Sequence, residues 1–212
     1  SPGGRYIVYM EAEKMMRLDT KSGESEDITP TINWSPDKPS ETYSILIGKS
    51  YDGVTPGYIE NALVTISGNR IQSVESDANK ADADIDASDK AAFPGLFEMH
   101  AHMGTTSATQ GKAWLSFGVT TVRDPGAHPY IAKERQEIWD SGARIGPRTH
   151  TAGFLTDGNR VYYSVAEGVT SDAHLERVLD RAERLQLDLI KTYVRLPDRW
   201  QKRVVEFAHG IG

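Results

Sequence analysis

The 212-residue sequence contains no cysteine, and this absence removes disulfide bridges, zinc–thiolate sites and cysteine nucleophiles together. Any metal ion must therefore be held by histidine, by a carboxylate or by a modified side chain. Long apolar runs are also missing, since no stretch approaches the roughly 18 residues that a membrane-spanning helix needs. Negative charge exceeds positive charge: the formal net charge is −6, whereas a general nucleic-acid binder normally shows a basic face. We therefore expect neither a membrane nor a nucleic-acid partner.

The two ends of the sequence lack the features of natural termini. The first residues include no initiator Met, and neither a basic region nor an apolar segment of an export signal follows. The last residues stop at Gly210 and Gly212, which are typical helix-ending residues. We expect both ends to be cut from a longer chain, so the sequence leaves exported, periplasmic and cytoplasmic locations open.

Residues 1–41 are predicted to form a short β segment followed by a linker. Residues 6–9 and 14–18 are rich in β-forming side chains, and a polar, proline-rich stretch at 36–42 is typical of a linker. The run Ser1-Pro-Gly-Gly-Arg-Tyr-Ile7 resembles the repeat of TolB- or tricorn-like β-propellers. An irregular β-extension explains the same residues nearly as well.

Residues 42–93 are predicted to form a small β-sheet region with hairpins. Its strand candidates are 44–47, 63–66 and 70–74, and Ser67-Gly-Asn69 is predicted as the tight turn between the last two.

Residues 94–212 alternate between strand and helix patterns. The strand candidates are 96–102, 118–123, 148–152 and 187–194. The helix candidates are 111–117, 130–142, 171–186 and 197–209, with Ser171 as an N-cap. Such alternation favours right-handed βαβ units and a parallel sheet. A complete (β/α)8 barrel needs roughly 250 residues, so this α/β region is predicted to be the first half of a TIM-type barrel.

His100 and His102 are the leading candidates for chemistry. Side chains two residues apart on a strand point to the same face, so both imidazoles can reach one metal ion. A bare His-x-His pair is a weak motif, and a pair of ordinary core or surface histidines is the alternative. Its position at the carboxyl end of the first strand of the β/α series, where barrel enzymes place their chemistry, favours the metal site.

Lys191 is the second candidate, because it lies inside a strand predicted to be covered on both faces. A buried lysine is costly unless it is paired or neutralised. It can reach the strand end or pair with a carboxylate such as Asp188. Alternatively its amine is carboxylated, and the resulting carbamate can bridge two cations.

Five further residues receive secondary interpretations. Asp124 is interpreted as a turn residue before proline, and His150 either faces substrate or fills space. Tyr193 shares the predicted inward face of Lys191, and Tyr162 and Tyr163 are predicted to line a pocket mouth. The remaining histidines are interpreted as surface residues: His128, His174 and His209.

Three segments together resemble the amidohydrolase superfamily. Phe93-Pro-Gly-Leu-Phe-Glu-Met-His-Ala-His102 is similar to its metal-binding opening, Gly118-Val-Thr-Thr-Val-Arg-Asp-Pro-Gly126 to its second-strand segment, and Asp188-Leu-Ile-Lys191 to its fourth strand. The resemblance covers residues 43–212 and is strongest for the imidazolonepropionase- and prolidase-related branch. It implies that residues 42–93 are the small β-sandwich that precedes the barrel.

The resemblance implies a hydrolase of amide, cyclic amide or dipeptide C–N bonds that uses one or two ions of zinc or a similar metal. His100 and His102 would bind the more buried ion, and a carboxylated Lys191 would bridge two. The remaining ligands and the general base have no counterpart here, so the isolated chain is expected to be inactive. Glu98 stands where the family usually has Asp.

Two alternatives remain at this stage. The first is a mononuclear deaminase-like or imidazolonepropionase-like hydrolase in which Lys191 is not carboxylated. The second is a chain without catalytic activity that acts as a folding or assembly module. In either case the partners expected are a small-molecule amide or dipeptide, the missing half of the barrel and a possible second copy of the chain.

Overall fold

A computed structural model describes residues 3–36, 38–103 and 109–212. Ser1 and Pro2 of the propeller-like motif, and Asp37 of the linker, lie outside these residues. None of the described helices is both long and apolar enough to cross a membrane.

The amino-terminal segment is a three-stranded antiparallel meander, β1-β2-β3. Its strands are β1 (Tyr6–Glu11), β2 (Lys14–Asp19) and β3 (Ser25–Asp27). The strands predicted at 6–9 and 14–18 are thus confirmed. Arg184 holds the meander against the rest of the chain, because its Nε donates to Glu13 Oε2 at 2.8 Å. The propeller assignment stays a prediction.

Residues 42–92 form a four-stranded sheet in the order β6-β5-β4-β7. Its strands are β4 (Thr42–Ser50), β5 (Ile59–Ser67), β6 (Arg70–Glu75) and β7 (Ile85–Ala92). The predicted turn after β5 is confirmed, and it needs Gly68 because the backbone there has a φ of 58°. Only one sheet is built from the described part of this segment, so the second layer of the sandwich stays a prediction.

The remaining residues form parallel strands and four helices. The strands are β8 (Leu96–Glu98), β9 (Val119–Asp124), β10 (Arg148–Thr151), β11 (Leu155–Asp157), β12 (Ala166–Gly168) and β13 (Lys191–Thr192). The helices are α1 (Gln110–Ser116), α2 (Pro129–Asp140), α3 (Asp172–Arg184) and α4 (Asp198–Ile211). All four predicted helices are confirmed within a few residues. Ser171 caps α3, since its Oγ accepts the His174 N–H at 3.2 Å.

The parallel strands form two sheets, β10-β9-β8 and β12-β11-β13, and the described residues do not close them into a barrel. The strand predicted at 187–194 is shorter than expected and pairs with β11 rather than β10. Asp188 lies beside the end of β10, where its carboxylate accepts the Thr151 N–H at 2.9 Å and its own N–H donates to the Thr151 carbonyl at 3.1 Å. The sequence patterns also missed β11 and β12, which lie between the strand predicted at 148–152 and the helix predicted at 171–186.

The predicted strand 96–102 ends early, at Glu98. His100 and His102 therefore follow the strand instead of lying on it, which corrects the same-face argument for their proximity. Beyond Glu98 the ladder with β9 stops, and the Glu98 carboxylate accepts the His100 N–H at 2.9 Å.

Two apolar clusters support this framework. The larger joins α3 to α4 through Val169, Leu175, Val178, Leu179, Leu196, Trp200 and Val204. The helix α3 presents its buried residues at the three- and four-residue spacing of an amphipathic helix. The smaller cluster of Ala101, Met103, Val122 and Trp139 lies directly beneath the histidine segment. The position of Trp139 in this cluster requires a glycine at residue 146, because a Cβ on Gly146 would lie 2.3 Å from Trp139 Cδ2.

Candidate metal centre

The segment 99–103 carries both histidines along the end of β9 without being a strand. Ala101 donates its N–H to the Arg123 carbonyl at 3.1 Å, and Arg123 Nε donates to the Met99 carbonyl at 2.7 Å. Ala101 and Met103 are buried, whereas His100 and His102 are exposed toward the adjoining cavity. The backbone is thus anchored on alternate residues, and both imidazoles are free to face the cavity.

The two imidazoles meet at their Nε2 atoms, which lie 3.3 Å apart. Two nitrogen ligands of a tetrahedral zinc ion, each about 2.0–2.1 Å from the metal, lie roughly 3.3–3.4 Å from one another. His102 Nδ1 lies 3.1 Å from the Gly126 carbonyl oxygen, which can accept its proton. That bond leaves Nε2 as the lone-pair donor, as a metal-binding histidine requires. The histidine pair therefore fits a shared metal ion.

Asp124 stands behind His102 and is fully buried. Its Oδ1 lies 3.6 Å from His102 Nδ1 and accepts the Gly126 N–H at 3.2 Å, so the turn predicted for Asp124 is present. Its Oδ2 accepts a hydrogen bond of 2.6 Å from Arg135 Nη2, and Arg135 is also fully buried. Burial lowers the pKa of the Arg135 guanidinium, and the Asp124 carboxylate opposes that shift.

The Asp124–Arg135 pair was missed by reasoning from the sequence. The available signal was an arginine at the helical spacing of apolar residues in α2, between Ile131 and Ile138. A charged residue on an inward helix face needs a buried partner. The sequence could not indicate which carboxylate supplies it.

A cavity of about 600 Å³ adjoins the histidine pair, and Lys191 lines it together with His100 and His102. Lys191 is only half-buried, because β13 has a strand neighbour on one side alone in the described residues. The proposed alternative partner Asp188 is occupied elsewhere, at His150 and Thr151.

Tyr163, predicted at the pocket mouth, and Tyr193, predicted on the inward face of Lys191, also line the cavity, with ring centroids 5.9 Å apart. Desolvation raises the pKa of the Tyr193 hydroxyl, and its hydrogen bond with Tyr163 adds to the shift. Much of the remaining wall is apolar, including Ile131, Leu155 and Val165. The cavity can therefore hold an organic molecule of largely apolar character beside the histidines.

His128, interpreted from the sequence as a surface residue, lines the cavity and packs edge-on against Phe154 with ring centroids 5.1 Å apart. His150 and Tyr162 are not among the lining residues. His150 Nδ1 is bonded to Asp188 Oδ1 at 3.2 Å, and Tyr162 is 77% exposed against the ring of Tyr163.

Within residues 3–36, 38–103 and 109–212, no group of three or more His, Asp or Glu side chains could hold a metal ion. The three metal-ligand candidates from the sequence, His100, His102 and Lys191, all line this cavity, and His128 is a further histidine in its wall. A tetrahedral site needs further donors beyond the histidine pair.

No model of a known protein family matches this chain, and no curated protein matches it. Solved structures, in contrast, do match this chain. A putative prolidase from Bifidobacterium longum superposes with a TM-score of 0.68 at 18% identity, over 82% of this chain and 48% of that one. Molinate hydrolase gives 0.62 at 20% identity, over 82% and 52%. Bottromycin amidohydrolase gives 0.62 at 19% identity, over 83% and 38%.

The chain thus spans about half the length of the prolidase and of molinate hydrolase, and less of the bottromycin enzyme. Most of its own length takes part in each match. At these identities the likeness establishes architecture alone. The chain has the fold of part of each of these three proteins.

Proposed function

We propose that this chain is part of a metal-dependent amidohydrolase that hydrolyses amide, cyclic amide or dipeptide C–N bonds with metal-activated water. The observation that carries the proposal is the 3.3 Å separation of the His100 and His102 Nε2 atoms at the edge of a cavity that also holds Lys191. The shared fold with hydrolases of such bonds supports it. On this view the two parallel sheets belong to the first half of a TIM-type barrel.

His100 and His102 would hold one ion, of zinc or a similar metal, and Lys191 would be carboxylated and bridge it to a second. When bound, such metal ions supply a Lewis acid that activates water and polarises a carbonyl oxygen. Gly126 orients the His102 ring through its carbonyl. Tyr163 and Tyr193 would donate hydrogen bonds to polar atoms of the substrate, and the apolar wall would exclude water around its side chain. We assign no substrate contact to His150 or Tyr162.

The remaining metal ligands and the general base would come from the part of the barrel that this chain does not contain. Exposed apolar side chains on the open edge of β8 support this, since Leu96 and Phe97 are 59% and 63% exposed. An apolar strand edge of this kind needs a covering partner. The isolated chain is accordingly proposed to be inactive and to need its other half or a second copy.

A mononuclear centre is the second candidate. The observation in its favour is that the Nε2 atoms of His100 and His102 face each other at the spacing of two ligands of a single ion. In that case Lys191 would keep a free amine and contact the substrate instead.

The test is metal analysis of the full protein that carries this sequence, together with hydrolysis of Xaa-Pro dipeptides, N-acyl amino acids and cyclic amides. We expect one or two equivalents of metal, activity that a chelator abolishes, and its return when zinc is restored. Two equivalents indicate the carboxylated form and one equivalent the mononuclear form. A metal-free protein with full activity contradicts the proposal.

A further inference from the structure

We propose that Asp124 and Arg135 form a buried positioning pair that sets the orientation of the His102 ring for metal binding. This inference rests on the proposed function, because it assigns a role toward the same centre. The pair itself touches neither the cavity nor any reacting atom.

The pair connects three segments that meet behind His102. Arg135 comes from the middle of α2, and Asp124 ends β9. Arg135 Nη2 donates to Asp124 Oδ2 at 2.6 Å, while Nη1 donates to the carbonyl of Met103 at 2.9 Å. The Met103 N–H lies 3.4 Å from Asp124 Oδ2. Both backbone groups of the residue after His102 are therefore held by the two charged side chains.

The second oxygen of Asp124 acts on the other side of the ring. Its Oδ1 accepts the Gly126 N–H at 3.2 Å and thereby shapes the turn that presents the Gly126 carbonyl to His102. The same Oδ1 lies 3.6 Å from His102 Nδ1, so the carboxylate is also next to the ring itself. The Asp124 carboxylate thus contacts both the backbone of Met103, which follows His102, and the turn that presents the Gly126 carbonyl to the ring.

Stability alone is a weak reason for such a pair. Both residues are fully buried, and removing two charges from water costs several kcal/mol per ion. Replacement of a buried ion pair by apolar residues of similar volume is often neutral or stabilising. What apolar residues cannot supply is directional hydrogen bonding to Met103 and Gly126. Because His102 follows the end of β8 and lacks ladder support, these bonds are what hold its ring in one direction.

The test compares the full protein that carries this sequence with its double variant Asp124→Asn/Arg135→Met, which removes both charges and the guanidinium hydrogen bonds to Met103 and Asp124 while keeping the shape of the Asp124 side chain. Co²⁺ is the probe, titrated by its visible absorption. We expect the double variant to keep its fold by circular dichroism and to bind Co²⁺ about 10–100-fold more weakly, as when other partners of metal ligands are lost. The matched control is Glu176→Gln/Arg203→Met, which removes the ion pair between α3 and α4 at 2.7 Å. It should leave Co²⁺ affinity unchanged.

A second readout needs no metal. Imidazole nitrogen chemical shifts, recorded above the usual imidazole titration range, report which nitrogen of His102 carries the proton. We expect the Nδ1–H form in the wild type and a mixture of both tautomers in the double variant. Arg135→Lys keeps the positive charge but cannot make both guanidinium hydrogen bonds, to Met103 and to Asp124. We expect it to give a Co²⁺ affinity and a tautomer ratio between those of the wild type and the double variant. This variant decides the question if the double variant does not fold.

Folded variants with wild-type Co²⁺ affinity and a wild-type His102 tautomer would overturn the positioning role. Failure of the proposed function looks different. If the full wild-type protein binds no metal, the proposed activity is wrong, while the tautomer comparison still decides whether Asp124 and Arg135 orient His102.

Discussion

His100 Nε2 and His102 Nε2 lie 3.3 Å apart, while the other ring nitrogen of His102 faces the Gly126 carbonyl at 3.1 Å. One nitrogen of His102 thus has a proton acceptor within the protein, and the other is directed at a second imidazole. Two nitrogen lone pairs that face each other at this distance repel, and a cation bound between them would remove that repulsion.

Each of the substitutions His100→Ala and His102→Ala is expected to reduce Co²⁺ binding below detection in the same titration. The reason is that each substitution removes one of the two imidazoles that face the proposed ion. His209→Ala is the control, since that residue is exposed in the last turn of α4 and should leave binding unchanged. Equal affinity in wild type and His102→Ala would place the metal elsewhere.

Lys191→Ala should lower metal content from two equivalents to one or fewer in the full protein and abolish hydrolysis. Isotope-labelled bicarbonate should give a carbamate signal by NMR in the metal-loaded wild type and none in the variant. Lys202→Ala, on the exposed face of α4, serves as the control and should retain the signal. A metal-loaded, active protein without any carbamate signal would instead support the mononuclear centre.

Glu167 on β12 is expected to make the folded state sensitive to acid. Burial would raise the pKa of its carboxyl, but hydrogen bonds from Arg181 and His174 outweigh burial and hold the pKa below its usual value of 4.5. A lowered pKa in the folded state contributes stability above the unfolded-state value, and this contribution is lost as the pH falls through the folded-state value.

The substitution Glu167→Gln should therefore lower the free energy of unfolding at neutral pH, and the difference from wild type should shrink once the pH falls below about 4. Urea unfolding at a series of pH values measures this. Glu206→Gln on α4 is the control, since its carboxylate is exposed. A difference that stays constant down to acid pH would show that the Arg181 and His174 contacts do not depend on charge.

Leu179→Ala should destabilise the chain by about 2–5 kcal/mol, because it leaves a cavity in the cluster between α3 and α4. Leu179 is fully buried, and its neighbours in the cluster come from both helices. Val205→Ala, at a position 50% exposed on α4, should cost much less. Chemical denaturation of both variants checks the difference, and equal losses would contradict the assigned core.

The helices could be predicted because their signals are local. Apolar spacing in α3, the Ser171 cap and the glycine turn at Gly68 each depend on neighbouring residues. Strand pairing could not be predicted in the same way. The sequence places a strand near Lys191, but its partner, β11, is chosen by contacts between distant segments.

The sequence by itself determined that His100, His102 and Lys191 are the residues to follow, since their types and their positions after predicted strands are properties of the chain. The tertiary structure decided which residues accompany them. It placed Tyr163, Tyr193 and His128 in the cavity wall, and it directed His150 to Asp188. It also joined Asp124 to Arg135 behind His102. The physical reason is that burial and ion pairing depend on which segments pack together, and the spacing of residues along the chain does not specify that packing.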